Sequence, residues 1–456
     1  MRSIGRIEAG VRQKVRESLL DAVREVLPDE LIRKLCAEEL RGMRERVLVP
    51  IAMLWYWVAA ALNRERAFAG VWADFWMPVA LHYPAVAGWR PQETGVLARA
   101  RLRIKEELLA KLNAEVVRQA EAEAGAWGQW KELRLALLDG STVSLEDRPE
   151  LEAAFGKPKN QHGTGPYPTL RCVNLVRGAT GIILGSAWDH HLVSEQELTE
   201  RLLALLTPKD LLLGDRNFAG WRLMAQLQVR HVPFLLRKEA HLDIRNYPHK
   251  KIGPNEWLVD LPKPERFQQT DPDLPAVLRV RVIKRRVGRK QARFDLWLVT
   301  NLLDPVRYPA DELVELYGKR WGVEQHFREL KRDLHLDVLR STTVAGVQRE
   351  MRAHHLAYNL VRLMILRAAK QEGVDLQRIS FVNAVRTIWA FSGCMCLAPV
   401  HELRGIYRVM LTMIAANLNP SRPGRHEPRA VRRARKAYPM LRKTRAAWRK
   451  EDWEAA

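Results

Sequence analysis

Apolar positions recur at helical spacing near the start of the chain, through Val11, Val15, Leu19, Val23 and Val26, and again through Leu97, Leu102, Leu108, Leu109, Leu112 and Val116. The first 130 residues therefore read as a mainly helical region. From 133 to 240 the pattern changes to short apolar runs alternating with helical stretches, the pattern of a mixed α/β domain. It predicts strands over 133–138, 170–176, 181–188, 210–214 and 232–236, with helices over 195–206 and 220–229 between the later ones. Proline-rich sequence follows, with Pro248, Pro254, Pro262, Pro264, Pro272 and Pro275, and ends in alternating runs at 277–283 and 294–299. This reads as a small β-rich insertion. After Pro309 helical periodicity resumes and continues through an apolar stretch at 356–366. The resulting division is a helical region over 1–130, an α/β core over 131–240, a β-rich insertion over 241–302, the second part of the core over 303–370, and a helical, basic C-terminal region over 371–456.

Composition narrows the partner. The 456 residues carry 75 Lys plus Arg against 53 Asp plus Glu, a net charge of +22, which favours a polyanion. Nucleic acid is the first choice and an anionic membrane the second. Residues 421–450 hold twelve Arg or Lys and one acid, Glu427, so half the net charge lies in that tail. Tyr438, Pro439 and Trp448 interrupt it, which favours contact with nucleic acid over a merely solvated tail. Arg99, Arg101, Arg103 and Lys105 offer a second basic row, equally readable as a solvated helix face. The apolar segment 47–62 falls short of the roughly 20 residues that a spanning helix needs. With Pro50 inside it and Trp55, Tyr56 and Trp57 along it, the segment reads as a buried helix, and no membrane partner is expected. The chain shows no signal peptide, and Cys36, Cys172, Cys394 and Cys396 have no paired spacing; both point to a reducing cytoplasm.

Candidate chemistry begins with two aspartates. Asp139 ends the apolar run Leu135, Ala136, Leu137, Leu138, and Asp215 follows Leu211, Leu212, Leu213 and Gly214. A carboxylate at the exit of a buried strand is held on rigid backbone with its oxygens toward solvent, as a hard-cation site requires. Each alone also reads as a turn former. A predicted helix over 311–334 then places Tyr317, Arg320, Glu324 and Lys331 near one face. Surface ion pairing explains that stripe equally well until it is set beside the two aspartates. His190 and His191 have no partner at ligand spacing, and Asp147, Asp189 and Asp210 stand in no comparable setting.

The segments "LLDGST", "LLLGDRNF" and "YGKRWGVEQHFRELK" resemble the three acidic signatures of DDE transposases from bacterial cut-and-paste insertion sequences. The last matches the Tyr-x2-Arg-x3-Glu-x6-Lys signature of the insertion-sequence-four branch. "GPYPTLRCVNL", "HHLVSEQEL", "LPDELIRKL" and "MRERVLVP" are also similar to that branch, so the likeness covers most of the chain. It implies a ribonuclease-H-like catalytic domain with a five-stranded mixed sheet and a β insertion between the second and third acids. It also implies a DNA transposase acting on terminal inverted repeats by nicking, hairpin formation, hairpin opening and strand transfer, as a homodimer on double-stranded DNA in the bacterial cytoplasm and nucleoid.

By the same resemblance Asp139, Asp215 and Glu324 are the catalytic, metal-binding trio. They would hold two Mg2+ ions, with Mn2+ able to substitute, and an all-carboxylate set argues against zinc. Tyr317, Arg320 and Lys331 would hold phosphates near the transposon end. Arg216 either joins them or makes a surface ion pair. Trp297 is either the insertion-domain aromatic that stacks on a flipped base or part of that domain's core. Three rivals remain at this point: a catalytically silent, transposase-derived DNA-binding protein, a nuclease without strand transfer, and a membrane-surface protein with a basic tail.

Overall fold

Leu211, Leu212 and Leu213 form an apolar run without alternation because the strand they build is covered on both faces. The computed structural model describes residues 26, 27, 29–39, 50–63, 68, 70–72, 99, 101–160, 163–239, 242–288, 293–320, 326 and 328–420. The helical spacing expected over 11–23 and the basic tail lie outside them. Among the described residues nine strands share one mixed sheet: β1 (Arg134–Ser144), β2 (Thr169–Arg177), β3 (Ile183–His190), β4 (Asp210–Gly214), β5 (Phe234–Arg237), β6 (His249–Gly253), β7 (Glu256–Pro262), β8 (Val277–Val287) and β9 (Phe294–Thr300). Their order is β3-β2-β1-β4-β5-β9-β8-β7-β6. Strands β1, β4 and β5 run parallel, and every other neighbouring pair is antiparallel.

The strand period of two sorts the core. Leu135, Leu137, Leu211 and Leu213 point into one apolar layer, and Ala136, Leu138 and Leu212 into the other. The proline-rich stretch builds strands that extend this same sheet, since β9 pairs with β5 through Val299 and Leu236. That pairing satisfies backbone groups that an open edge at β5 would leave exposed.

Helices cover both faces. Helix α1 (Pro50–Leu62) buries Trp55, Tyr56 and Trp57, and the Tyr56 hydroxyl donates to Phe68 O at 2.6 Å. It packs on the long helix over residues 344–372. Among the described residues no helix is long and apolar enough to cross a membrane. Helix α2 (Glu106–Ala124) buries Leu108, Leu109, Leu112 and Val116, as their spacing predicts. Because it starts only at Glu106, the basic row before it shares no helix face. Instead the Arg101 guanidinium lies 3.6 Å over the Phe68 ring, committed to packing. Helices α3 (Glu195–Glu200) and α4 (Trp221–Val229) pack on the second layer.

Helix α5 (Ala310–Gly318) corrects the continuous helix expected over 311–334. It ends at Gly318, a poor helix former, and residues 329–333 form a separate π-helical turn. Tyr317, Arg320 and Lys331 therefore do not share one straight helical face.

The 29-residue α6 (Val344–Glu372) is capped by Thr343, which accepts from Gly346 N at 3.2 Å, and by Gly373 at φ 64. Its middle, from Ala353 to Leu366, is buried on every side and mostly apolar, and the polar Asn359 and Arg362 within it have buried partners. Asn359 fastens it to the sheet, exchanging 2.9 Å hydrogen bonds with both Ile183 N and Ile183 O. Helix α7 (Leu403–Ala416) packs on its outer side.

One buried ion cluster ties α6 to the π-helical turn. Glu329, 4% exposed, accepts from the Tyr358 hydroxyl at 3.2 Å and lies 3.6 Å from Arg362 and 3.4 Å from His326. Burial pushes its carboxyl upward, but Arg362, His326 and Tyr358 outweigh that and hold it below the ordinary range. Glu329→Ala would leave Arg362 buried without its counter-ion, so we expect a stability loss of roughly 3–5 kcal/mol in urea unfolding. A loss below about 1 kcal/mol would show that the Arg362 hydrogen bonds to Thr180 O suffice.

Candidate active site

Strands β1 and β4 lie side by side and parallel, and their last register pair is Leu137 with Leu213. Two residues further along each chain stand Asp139 and Asp215. Adjacent strands run roughly 4.8 Å apart, so this pairing brings the two carboxylates near each other where β4 ends, within the sheet. Asp139 is not at a strand end as expected. Strand β1 continues to Ser144 on β2, and Asp139 stays half-buried, open on one side where β4 stops at Gly214.

Asp139 Oδ1 accepts from Gly140 N at 3.0 Å. Burial, with the nearby Asp215 and Glu195 carboxylates adding repulsion, pushes the Asp139 carboxyl up to about 6, against the opposing pull of Gly140 N–H and Arg320. Asp215 caps the 3-10 turn Arg216–Phe218, accepting from Asn217 N at 2.8 Å. Glu324, the third acid expected, lies outside the described residues. Among the described residues no group of three His, Cys, Asp or Glu stands close enough to hold a metal ion.

Around Asp215 a cavity of about 610 Å³ brings together Arg216, Tyr317 and Arg320 with two residues that sequence reasoning missed, Arg237 and Phe294. Tyr317 is buried, and its hydroxyl donates to Gly214 O at 3.2 Å, fixing α5 to the end of β4. The Arg320 guanidinium lies 5.8 Å from the Tyr317 ring centre. Lys331 sits half-buried on the π-helical turn. Its ammonium acts on the buried Cys172 thiol, which burial nonetheless pushes up to about 12. Cys172 lies on β2, two residues before the partner of Asp139.

Trp297 is not brought to this cavity. Phe294 and Leu296 face the cavity, and strand alternation turns Trp297 to the opposite side of the sheet. There it stacks on Trp257 with centroids 5.8 Å apart, and Lys238 and Lys284 lie 5.4 and 5.2 Å from its ring.

Glu195 was also missed. It opens α3, and its carboxylate fills the space that a side chain at Gly140 would take. Burial and the charge of Asp215 raise its pKa. The other acids and histidines considered have structural partners: Asp147 pairs with Lys157, Asp189 with Arg201, Asp210 with Arg177 and Arg134, and the His190 and His191 rings stack on each other.

A family model described as "Transposase DDE domain" matches residues 130–360, half of the chain, spanning both aspartates and the Tyr317 to Lys331 segment. The chain belongs to the DDE transposase family, and it is of the insertion-sequence IS4 type. It is 26% identical to the transposase InsG for insertion sequence element IS4 of Escherichia coli (strain K12) over 93% of this chain and 94% of that one. It is 36% identical to a probable transposase for insertion sequence element IS5377 of Geobacillus stearothermophilus, over 20% of this chain and 23% of that one. Among solved structures it is similar to a piggyBac transposase synaptic complex with hairpin DNA, at TM-score 0.44 and 12% identity, covering 90% of this chain and 87% of that one. Membership makes the chain a DNA transposase, a nuclease and strand transferase of a family that works with divalent metal ions. The transposase's own donors suit such an ion. Asp139, pushed up to about 6 by burial and its neighbours, and Asp215, just past the end of the adjacent strand, are carboxylate oxygen donors of the kind that a hard cation takes.

Proposed function

We propose that this transposase binds the terminal inverted repeats of a mobile element, cuts them and joins them to target DNA, with Asp139, Asp215 and Glu324 as its catalytic trio. The observation that carries this reading is the pairing of Leu137 with Leu213 on adjacent parallel strands, with Asp139 and Asp215 each two residues beyond it. Two Mg2+ ions, or Mn2+ in their place, would be held by the trio and would supply a Lewis acid and a more acidic water or 3′ hydroxyl at neutral pH. Asp139, on β1 between β2 and β4, would hold the ions together with Asp215 and Glu324.

The chain's own groups do the rest. Arg216, Arg237 and Arg320 converge on the cavity beside Asp215 and would bind backbone phosphates. Tyr317 holds the floor of the site through Gly214, and Lys331 adds positive charge on the face of Asp139. The order β3-β2-β1-β4-β5, with β1, β4 and β5 parallel, supports a ribonuclease-H-like core over 131–240 and 303–370, interrupted by the β-rich residues 241–302. The helical region 1–130 and the basic region 371–456 are proposed to contact DNA and to pair two subunits across two DNA ends. A hairpin at the cut end is the proposed intermediate, because one site then serves every phosphoryl transfer in turn.

The test uses full-length protein, Mg2+ and linear DNA carrying the inverted repeats that flank the gene. Wild type should cut at the repeat boundary and join the freed ends to a supercoiled target, and chelation by EDTA should stop both reactions. Cutting without joining would reduce the activity to a nuclease. Binding without cutting would leave a silent DNA-binding protein.

A further inference from the structure

On β2, Asn174 is the register partner of Asp139. The side chain is 1% exposed, and neither Oδ1 nor Nδ2 has a hydrogen-bond partner among the described residues. Burying an amide in that state costs about 1–3 kcal/mol by the measure of protein substitutions. Packing does not call for an amide here, because Cys172 and Val176, the neighbours on the same face of β2, are both apolar and buried. The partner on the other flank, Ser186, has its hydroxyl 3.4 Å from His355 Nε2 and is engaged with α6. That leaves Asp139. Directly paired residues on antiparallel strands have Cβ atoms about 4.5–5.5 Å apart, within reach of an amide on one side and a carboxylate on the other.

We propose that Asn174 is a positioning residue for the metal site: when Asp139 takes up a divalent cation, the Asn174 amide donates to the carboxylate oxygen that does not face the ion. Asp139 Oδ1 accepts from its own neighbour, Gly140 N, and the amide across the strand has no partner among the described residues. The exchange fixes the rotamer of Asp139, leaves its other oxygen to the cation and satisfies a buried donor at once. Groups in this outer position around metal sites commonly change affinity by roughly 10–100-fold. The inference rests on the reading of Asp139 as a metal ligand.

The test is Mn2+ binding to the full chain, followed by electron paramagnetic resonance and calorimetry, in wild type, Asn174→Leu, Asn174→Ala and Asp139→Ala. Both Asn174 variants should bind Mn2+ at least about tenfold more weakly. Metal-free Asn174→Leu should melt no lower than wild type, since it removes an unpartnered amide at similar volume. Asn174→Ser, which restores a donor, should recover part of the affinity. If both Asn174 variants bind within about twofold of wild type while Asp139→Ala does not bind, the amide is structural and this inference is overturned. If Asp139→Ala itself binds like wild type, the metal-site reading falls first.

Discussion

Asp139→Asn should make the metal-free protein more stable at neutral pH while cutting DNA at least about a thousandfold more slowly, because it removes several kcal/mol of metal-dependent charge stabilisation. The stability gain follows from burial and from the like charges of Asp215 and Glu195, which push Asp139 up to about 6 from an ordinary 3.8. A carboxyl raised in the folded state binds its proton more tightly there than in the unfolded chain. Folding stability therefore falls as pH rises from about 4 to about 6, and the full penalty stands above that window. Two pKa units correspond to at most about 3 kcal/mol, less whatever solvent screening removes. The melting temperature of Asp139→Asn should accordingly exceed that of wild type at pH 7 and converge with it near pH 4. Saturating Mg2+ should raise the wild type but not the variant. A variant less stable than wild type at pH 7 would show that the carboxylate is held by attraction and contradict the repulsive site described above.

The same residues show how far a sequence carries. Strand 210–214 emerged with its boundaries intact, because three consecutive leucines with a following Gly-Asp leave little alternative. The paired aspartates were legible for the same reason. Their shared register was not, since nothing in a single sequence states that Leu137 stands beside Leu213. Asn174 and Glu195 were missed on that ground: one is defined by a cross-strand pair, the other by a helix placed over Gly140. The stripe of Tyr317, Arg320, Glu324 and Lys331 made 311–334 look like one helix, whereas Gly318 ends it and a π-helical turn carries Lys331. Trp297 depended on strand parity, and one position along β9 separates the cavity face of Leu296 from the tryptophan stack behind it. The charge of the tail, by contrast, is a property of composition and needed no structure.

The cavity explains a feature that the acids alone do not. Arg216, Arg237 and Arg320 come from the end of β4, the end of β5 and the turn after α5, segments far apart in sequence. Their convergence concentrates positive charge beside Asp215, where the proposed function would seat a phosphodiester, while Phe294 supplies an apolar wall. Affinity for DNA should therefore survive loss of any one carboxylate and even increase slightly, since each change removes negative charge from the path of the backbone.

That expectation sets the second large effect and the most direct test. Asp215→Ala and Glu324→Ala should each lower the rate of repeat-end cleavage in Mg2+ by at least about a thousandfold, as loss of a metal-holding carboxylate implies. Their binding to the same repeat-end DNA, measured by fluorescence anisotropy at fixed salt, should stay within about threefold of wild type, because the phosphate-binding cations are untouched. Cleavage by full-length wild type, Asp215→Ala and Glu324→Ala on one labelled repeat-end duplex is the deciding measurement. Cutting by wild type alone, with all three proteins bound, is the predicted result; cutting by either variant at the wild-type rate would contradict the assignment of the trio.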